Sequence, residues 1–347
     1  MYRLIKKWKN ISGLKSHKNI VYFNENGNLI EKDNIILNDV ESDCFWFINE
    51  GLYFFNKEGV RFYMKNEKFV EVKTPFFTNS IFENKILCKV NFRRENRKWK
   101  WEFGVYDMDR NFLSKEFEIQ NFNSELVFKG NAIGFFNKDR FASINYENGE
   151  LNWDLELGDN VSKIIGIHKN EVFLITSNSK LIAVNIEKGV ITNSWFDLSN
   201  ISLDSQTKGL TLDGVNFVLD KNSEKLIGAL HNNYIKLDLK TNAIHFVNIT
   251  EELQKNKIIF IKQLNNNPFT DTHLFLTAMM QQEDNDKKWS KDCLFALNRI
   301  THKIDWLHIF EEQNLGTNIP KLTETELYQL DNNGNLFVFK KEENYIS

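Results

Sequence analysis

Two stretches of this chain gather residue types suited to binding or metal chemistry. The first, Phe92-Arg93-Arg94-Glu95-Asn96-Arg97-Lys98-Trp99-Lys100-Trp101, sets three guanidinium groups and two indoles within one short segment. Arg beside Trp is the composition of binding hot spots, a planar multi-donor cation next to a large rigid apolar surface. The bland alternative is a long hairpin with its charges outward, Trp99 and Trp101 sharing the inward face by period-two alternation. The second stretch, Gln281-Gln282-Glu283-Asp284-Asn285-Asp286-Lys287-Lys288-Trp289, has acidic residues at alternate positions. That pattern matches part of a calcium loop, but the central Gly and the distal bidentate Glu are missing. It reads as a solvated hairpin tip. Arg93, Arg94, Arg97 and Trp99, with Asp284, Asp286, Lys287 and Trp289, are therefore the candidate partner-contact residues.

Nothing else in the sequence offers a reaction. The seven histidines, His17, His168, His231, His245, His273, His302 and His308, form no HExxH, no paired spacing and no Cys-His cluster, whereas zinc wants closely spaced ligands. No G-x-S-x-G, no P-loop and no G-x-G-x-x-G occurs. Carboxylates such as Asp107 and Asp238 fall at strand ends, where they cap turns. The expectation is no catalytic residue, no metal and no cofactor. A formal net charge of −3 argues against nucleic acid, whose binding modules are usually strongly basic. No run approaches the roughly twenty apolar residues of a membrane span, and the opening Met-Tyr-Arg-Leu-Ile-Lys-Lys-Trp-Lys lacks the apolar core of a secretion signal. A soluble cytoplasmic protein is expected. Cys44, Cys88 and Cys293 are odd in number and each lies in an apolar run, so they read as buried free thiols.

The elements that carry these stretches follow from a repeated phrase. Its clearest copy is Leu181-Ile182-Ala183-Val184-Asn185, followed by Ile186-Glu187-Lys188-Gly189. Related copies run over 52–56, 103–107, 141–145, 234–238 and 294–298, and a weaker one over 336–340 has Lys at its end. Each is an apolar run that ends in Asn or Asp; a turn residue such as Gly59, Gly149, Gly189 or Asn242 follows, then a second run that usually holds an aromatic. Strand, polar turn, strand is a β-hairpin. Most copies have another apolar run upstream, which makes at least three successive antiparallel strands per unit. The runs are apolar on both faces, as in strands covered on both sides. A period of roughly 40–50 residues with several short strands per repeat is the signature of a β-propeller.

Ala183-x-Asn185-x-x-x-Gly189 and Asn145-x-x-x-Gly149-x-x-x-Trp153 resemble the A-x-D-x-x-T-G-x-x-x-W phrase of PQQ-like (quinoprotein-type) β-propeller repeats, and Asn298 and Trp306 keep the same interval. The resemblance spans most of the chain in degenerate form, with Asn usually replacing Asp. It implies a propeller whose aromatic residues dock neighbouring blades, and it does not imply quinone binding. Seven phrases give an all-β, seven-bladed propeller in a single domain, 1–347. Residues 20–37, with the hairpin turn Asn26-Gly27, are either an extra hairpin of the first blade or an eighth blade. Thr250 to Lys255 reads as the start of a short helix with Thr250 as N-cap.

In two repeats the connection between equivalent strands is drawn out, over 91–102 and over 279–293. Insertions at one position of a repeat often form the binding face. The leading expectation is a non-catalytic propeller that binds another protein, as a toxin-neutralising immunity protein or an adaptor in a complex. The competing class is an enzyme or small-ligand binder that uses the central channel.

Tyr2 to Trp8 is a strand-like run with no first half, and Leu336 to Lys340 lacks a second hairpin arm. Pairing the two completes one blade and leaves no open strand edge. Removing the first ten residues is therefore expected to lower the thermal unfolding midpoint far more than trimming a frayed end; melting of the truncated chain checks it.

Overall fold

Strands such as Leu181–Asn185 bury four residues in succession, which an antiparallel sheet wet on one face would not allow. The sequence therefore calls for sheets covered on both sides. The computed structural model describes residues 1–48, 51–66, 68–72, 81–82, 85–95, 98–120, 122–137, 139–178, 180–195, 216–284, 287–312 and 314–342. Over these residues, eight four-stranded antiparallel sheets hold successive stretches of chain. The fold is all-β, an eight-bladed β-propeller. The count of seven is corrected to eight.

The additional blade is the N-terminal stretch. Ile11–His17, Ile20–Glu25, Asn28–Glu31 and Asn34–Leu37 form a complete sheet of their own. Its last two strands have four residues each. A second reason for the miscount is the phrase at 52–56. It lies in Gly51–Asn56, the second strand of its sheet, whereas Leu181–Asn185 is the third strand of its own. The phrase marks a strand before an Asx turn and does not mark the rank of that strand.

The chain divides into two compact units, residues 1–43 with 214–347, and residues 44–213. In the first unit, Val218, Ile227 and Tyr234 of the sixth blade pack with Leu274, Leu276 and Phe295 of the seventh. Tyr2–Trp8 pairs antiparallel with Leu336–Lys341, from Tyr2 opposite Lys341 to Trp8 opposite Leu336, so the expected sharing of one blade by the two ends of the chain is present. Arg299 reaches between blades: its guanidinium donates to Asp220 Oδ2 at 2.5 Å and lies over the Phe269 ring. Burial works to raise the Asp220 carboxyl; the hydrogen bonds from Ser223 and Arg299 outweigh it and hold the group below its usual range. Helix α1, Thr250–Lys255, is present, but Thr250 is not its N-cap. Asn248 Oδ1 accepts the Thr250 amide at 2.8 Å, and the Thr250 hydroxyl is buried without a partner.

In the second unit, Ile133 and Phe141 of the fourth blade pack with Val172, Leu174 and Ile182 of the fifth. Strand-end Asn and Asp residues cap turns in both units. Asn185 Oδ1 accepts the amides of Glu187 at 3.1 Å and Lys188 at 2.9 Å, and Asp107 does the same for Asp109 and Arg110. Asp238 and Asn298 repeat the arrangement. Trp side chains dock across neighbouring blades: Trp153 Nε1 donates to the Ile186 carbonyl at 2.5 Å. In the first unit Trp306 Nε1 donates to the Tyr2 carbonyl at 2.7 Å. Cys88 and Cys293 are buried free thiols, and Cys44 is only half-buried.

Gly189 shows why the turn tolerates so little. Its φ is +64°, and a Cβ built there falls 2.5 Å from the Trp153 ring. Gly189→Ala is expected to cost more than about 1 kcal/mol, from left-handed strain and overpacking together, and urea unfolding of the variant measures it.

Candidate functional site

The two candidate segments are the outer ends of two long hairpins. In the third blade, Lys85–Glu95 and Lys98–Asp107 pair from Lys85 opposite Asp107 out to Glu95 opposite Lys98. The neighbouring strand Phe112–Gln120 pairs with this hairpin only as far as Lys100. The register sets Phe92 opposite Trp101, Arg93 opposite Lys100 and Arg94 opposite Trp99. The Arg94 and Trp99 row thus belongs to a two-stranded extension beyond the sheet.

In the seventh blade, His273–Asp284 and Lys287–Asn298 pair through twelve rows without a bulge. Ile304–Phe310 accompanies the hairpin only to Asp292, and Ile258–Ile261 only to Met280. Beyond them, Gln282 stands opposite Trp289, Glu283 opposite Lys288 and Asp284 opposite Lys287. In both blades the long connection joins the second strand to the third.

Of the candidate residues, Arg93, Arg94 and Trp99 lie in the first hairpin, and Asp284, Lys287 and Trp289 in the second. Arg97 and Asp286 lie outside the described residues, as do the side chains of the other six.

The base of the second hairpin is fixed by a charge that belongs to no sequence motif. Asp292 Oδ2 accepts from Lys262 Nζ at 2.7 Å and from the Leu315 amide at 2.6 Å. Lys262 Nζ also donates to the Gly316 carbonyl at 3.1 Å. Both charged side chains are nearly buried, at 13 % and 10 % exposure. Beside them the Cys293 thiol is pushed up to about 12 by burial and by the Asp292 charge, so it stays protonated and unreactive. No group of three or more His, Cys, Asp or Glu side chains suited to a metal ion exists among the described residues. Among the described residues no helix is long and apolar enough to cross a membrane.

A further feature lies wholly inside the second unit. An open cavity of about 700 Å³ borders Asn123 and Glu125, the strand end at Phe135 and Phe136, and Asn160 to Ile164. Lys163 on its wall is brought down to about 8 by burial.

No family model matches the chain, and no curated protein matches it. Among solved structures, Saccharomyces cerevisiae Sqt1 is similar over 99% of this chain and 98% of its own, at 9% identity and a TM-score of 0.56. The computationally designed Ika8 protein is similar over 96% of both chains, at 9% identity and a TM-score of 0.55. BamB from Moraxella catarrhalis aligns over 98% of this chain and 100% of its own, at 10% identity and a TM-score of 0.44. With Sqt1 and Ika8 the chain shares its fold, and identities of this size speak to the fold alone.

Removing one partner of a buried ion pair leaves the other charge uncompensated, at about 3–5 kcal/mol. Asp292→Ala is expected to destabilise the protein by that amount, and Lys262→Met with Asp292→Leu together by much less. Denaturant unfolding of the two variants separates these outcomes.

Proposed function

We propose that this protein is a non-catalytic binding module that engages another protein through its two extended hairpins. The observation that carries the reading is the length of those hairpins. Each continues past the strands that flank it, in the third blade and in the seventh. A two-stranded ribbon in water is only marginally stable, so residues spent beyond the sheet do little for folding. The tips carry Arg, Trp and paired charges in place of the apolar runs of the blade strands, and Arg and Trp are the side chains that dominate interface energetics. Each hairpin offers its own contact patch, held by the rigid sheet beneath it. A cytoplasmic adaptor in a complex, or an immunity protein that neutralises a toxin, fits this reading.

Two trimmed chains test it. In one, 93–100 is replaced by Asn-Gly, which keeps Phe92 opposite Trp101; in the other, 282–289 is replaced likewise, which keeps Gln281 opposite Ser290. Affinity purification from lysate of the source cell, quantified by mass spectrometry, is expected to show a partner retained by the full chain. That partner is lost at least tenfold from one or both trimmed chains, with unfolding midpoints unchanged. Equal recovery on all three chains, or no retained partner, rejects the reading.

A further inference from the structure

The outer strand of the eighth blade carries a surface of its own, apart from the two hairpins. Tyr2–Trp8 has seven residues and pairs on one side only, with Leu336–Lys341, so it is the edge of its sheet. The Glu342 amide donates to the Met1 carbonyl. By the alternation of an antiparallel ladder, the backbone of Met1 and Arg3 therefore faces Leu336–Lys341, and that of Tyr2 and Leu4 faces away. The Tyr2 carbonyl agrees with this, since it accepts Trp306 Nε1 from the seventh blade. The register shifts between Leu4 and Lys6, after which Lys7 stands opposite Phe337. The Lys341 amide donates to Thr325 on the far side, and the same alternation turns the Phe337 backbone that way, so the Lys7 backbone also faces the open edge.

Proteins blunt such edges by keeping them short or by placing charge or Pro on them. The edge strands of the first and second blades, Asn34–Leu37 and Lys68–Glu71, have four residues each. Tyr2–Trp8 is longer, and Arg3 to Lys7 are all exposed, with the apolar Leu4 and Ile5 at 40 % and 44 %. Its charge is of one sign. Lys6 is engaged, with Nζ at 2.9 Å from Asp33 Oδ1 and over the Trp8 ring. Lys7 Nζ rests on the Phe337 ring at 4.8 Å. Among the described residues Arg3, Lys7, Lys9, Lys340 and Lys341 form no ion pair. The carboxylates at hand are Glu326, which stands opposite Lys340 and accepts the Tyr328 hydroxyl, and Glu342. Arg3 stands directly opposite Lys340, and like charges so placed are destabilising. Repelling a second copy accounts for cations on the edge, but it does not account for Leu4 and Ile5 exposed between them.

We propose that Tyr2–Trp8 accepts an extended acidic segment of another protein as an added strand. The backbone of that segment pairs with the open edge at Leu4 and Lys7, its carboxylates meet Arg3, Lys7 and Lys340, and its apolar side chains cover Leu4 and Ile5. The cations that turn away a second basic edge select the acidic one. Backbone pairing is what separates this site from a general attraction for polyanions.

Fluorescence anisotropy of the full chain at pH 7 and low salt tests the assignment with three labelled nine-residue peptides. One alternates Glu and Val, one is the same peptide N-methylated at its three central residues, which blocks both of its backbone edges, and one alternates Lys and Val. The acidic peptide is expected to bind saturably and at least tenfold more tightly than either of the others, and to slow hydrogen exchange at the Leu4 amide. Arg3→Gln with Lys340→Gln is expected to weaken its binding at least fivefold while the unfolding midpoint stays level or rises, because a like-charge pair is removed. No saturable binding of the acidic peptide, equal binding of its N-methylated form, or full affinity in the double variant each overturns the proposal. Should the double variant not fold, the comparison of the three peptides on the native chain decides alone.

Discussion

A sheet that is apolar on both faces has no stable existence alone in water. Every blade strand of the Leu181–Asn185 kind imposes this condition, because four consecutive buried residues point to both sides. The apolar clusters show how it is met: each draws side chains from two successive sheets. Turn chemistry follows from the same condition. A turn at the rim of such a sheet has backbone amides that the ladder cannot satisfy, and the strand-end Asn or Asp takes two of them. With the turn fixed, its carbonyl becomes a docking point for a Trp of the preceding blade, as Ile186 is for Trp153. Interactions worth little singly are thereby ordered by one requirement of burial.

The two long hairpins are the places where the chain leaves this regime. Among the described residues no third strand pairs with their outer rows, and their composition turns from apolar to charged at that point. What keeps the second hairpin in place lies at its base, where Asp292, Lys262 and the 315–316 backbone form one connected polar group. A buried ion pair of this kind contributes more to a unique geometry than to net stability. For the contact role proposed for this hairpin, a fixed base would aim the ribbon before a partner arrives.

The sequence made much of this architecture legible, and the failures have physical causes. Leu181–Asn185 was readable because burial on both faces, an Asx turn and Gly189 coincide within nine residues. The stretch 11–37 left hairpin and blade both open because its last two strands are only four residues long and Asn34, Ile35 and Ile36 face solvent, so the apolar run Ile35 to Leu37 is not the buried kind that marks the other blades. The copy at 52–56 misled because Asn56 caps its turn as Asn185 does, although it ends a strand of different rank. Thr250 has the composition of a cap, yet Asn248 two residues earlier takes the amide. The hairpin residues were visible as a break in the apolar pattern. Lys163 was not, because Val161 to Ile164 carry no motif and their character depends on Phe135 and Phe136 from another blade.

The blade shared by Tyr2–Trp8 and Leu336–Lys341 bears on how the molecule is made. Tyr2 and Trp306, 304 residues apart in sequence, are joined by a hydrogen bond. During synthesis Tyr2–Trp8 must wait, edge open, until Leu336–Lys341 has emerged. Such distant pairing is slow, and an unpaired strand is a template for neighbouring nascent chains on the same polysome. Arg3, Lys6 and Lys7 put positive charge along that strand, and charged side chains on a strand edge oppose pairing between chains.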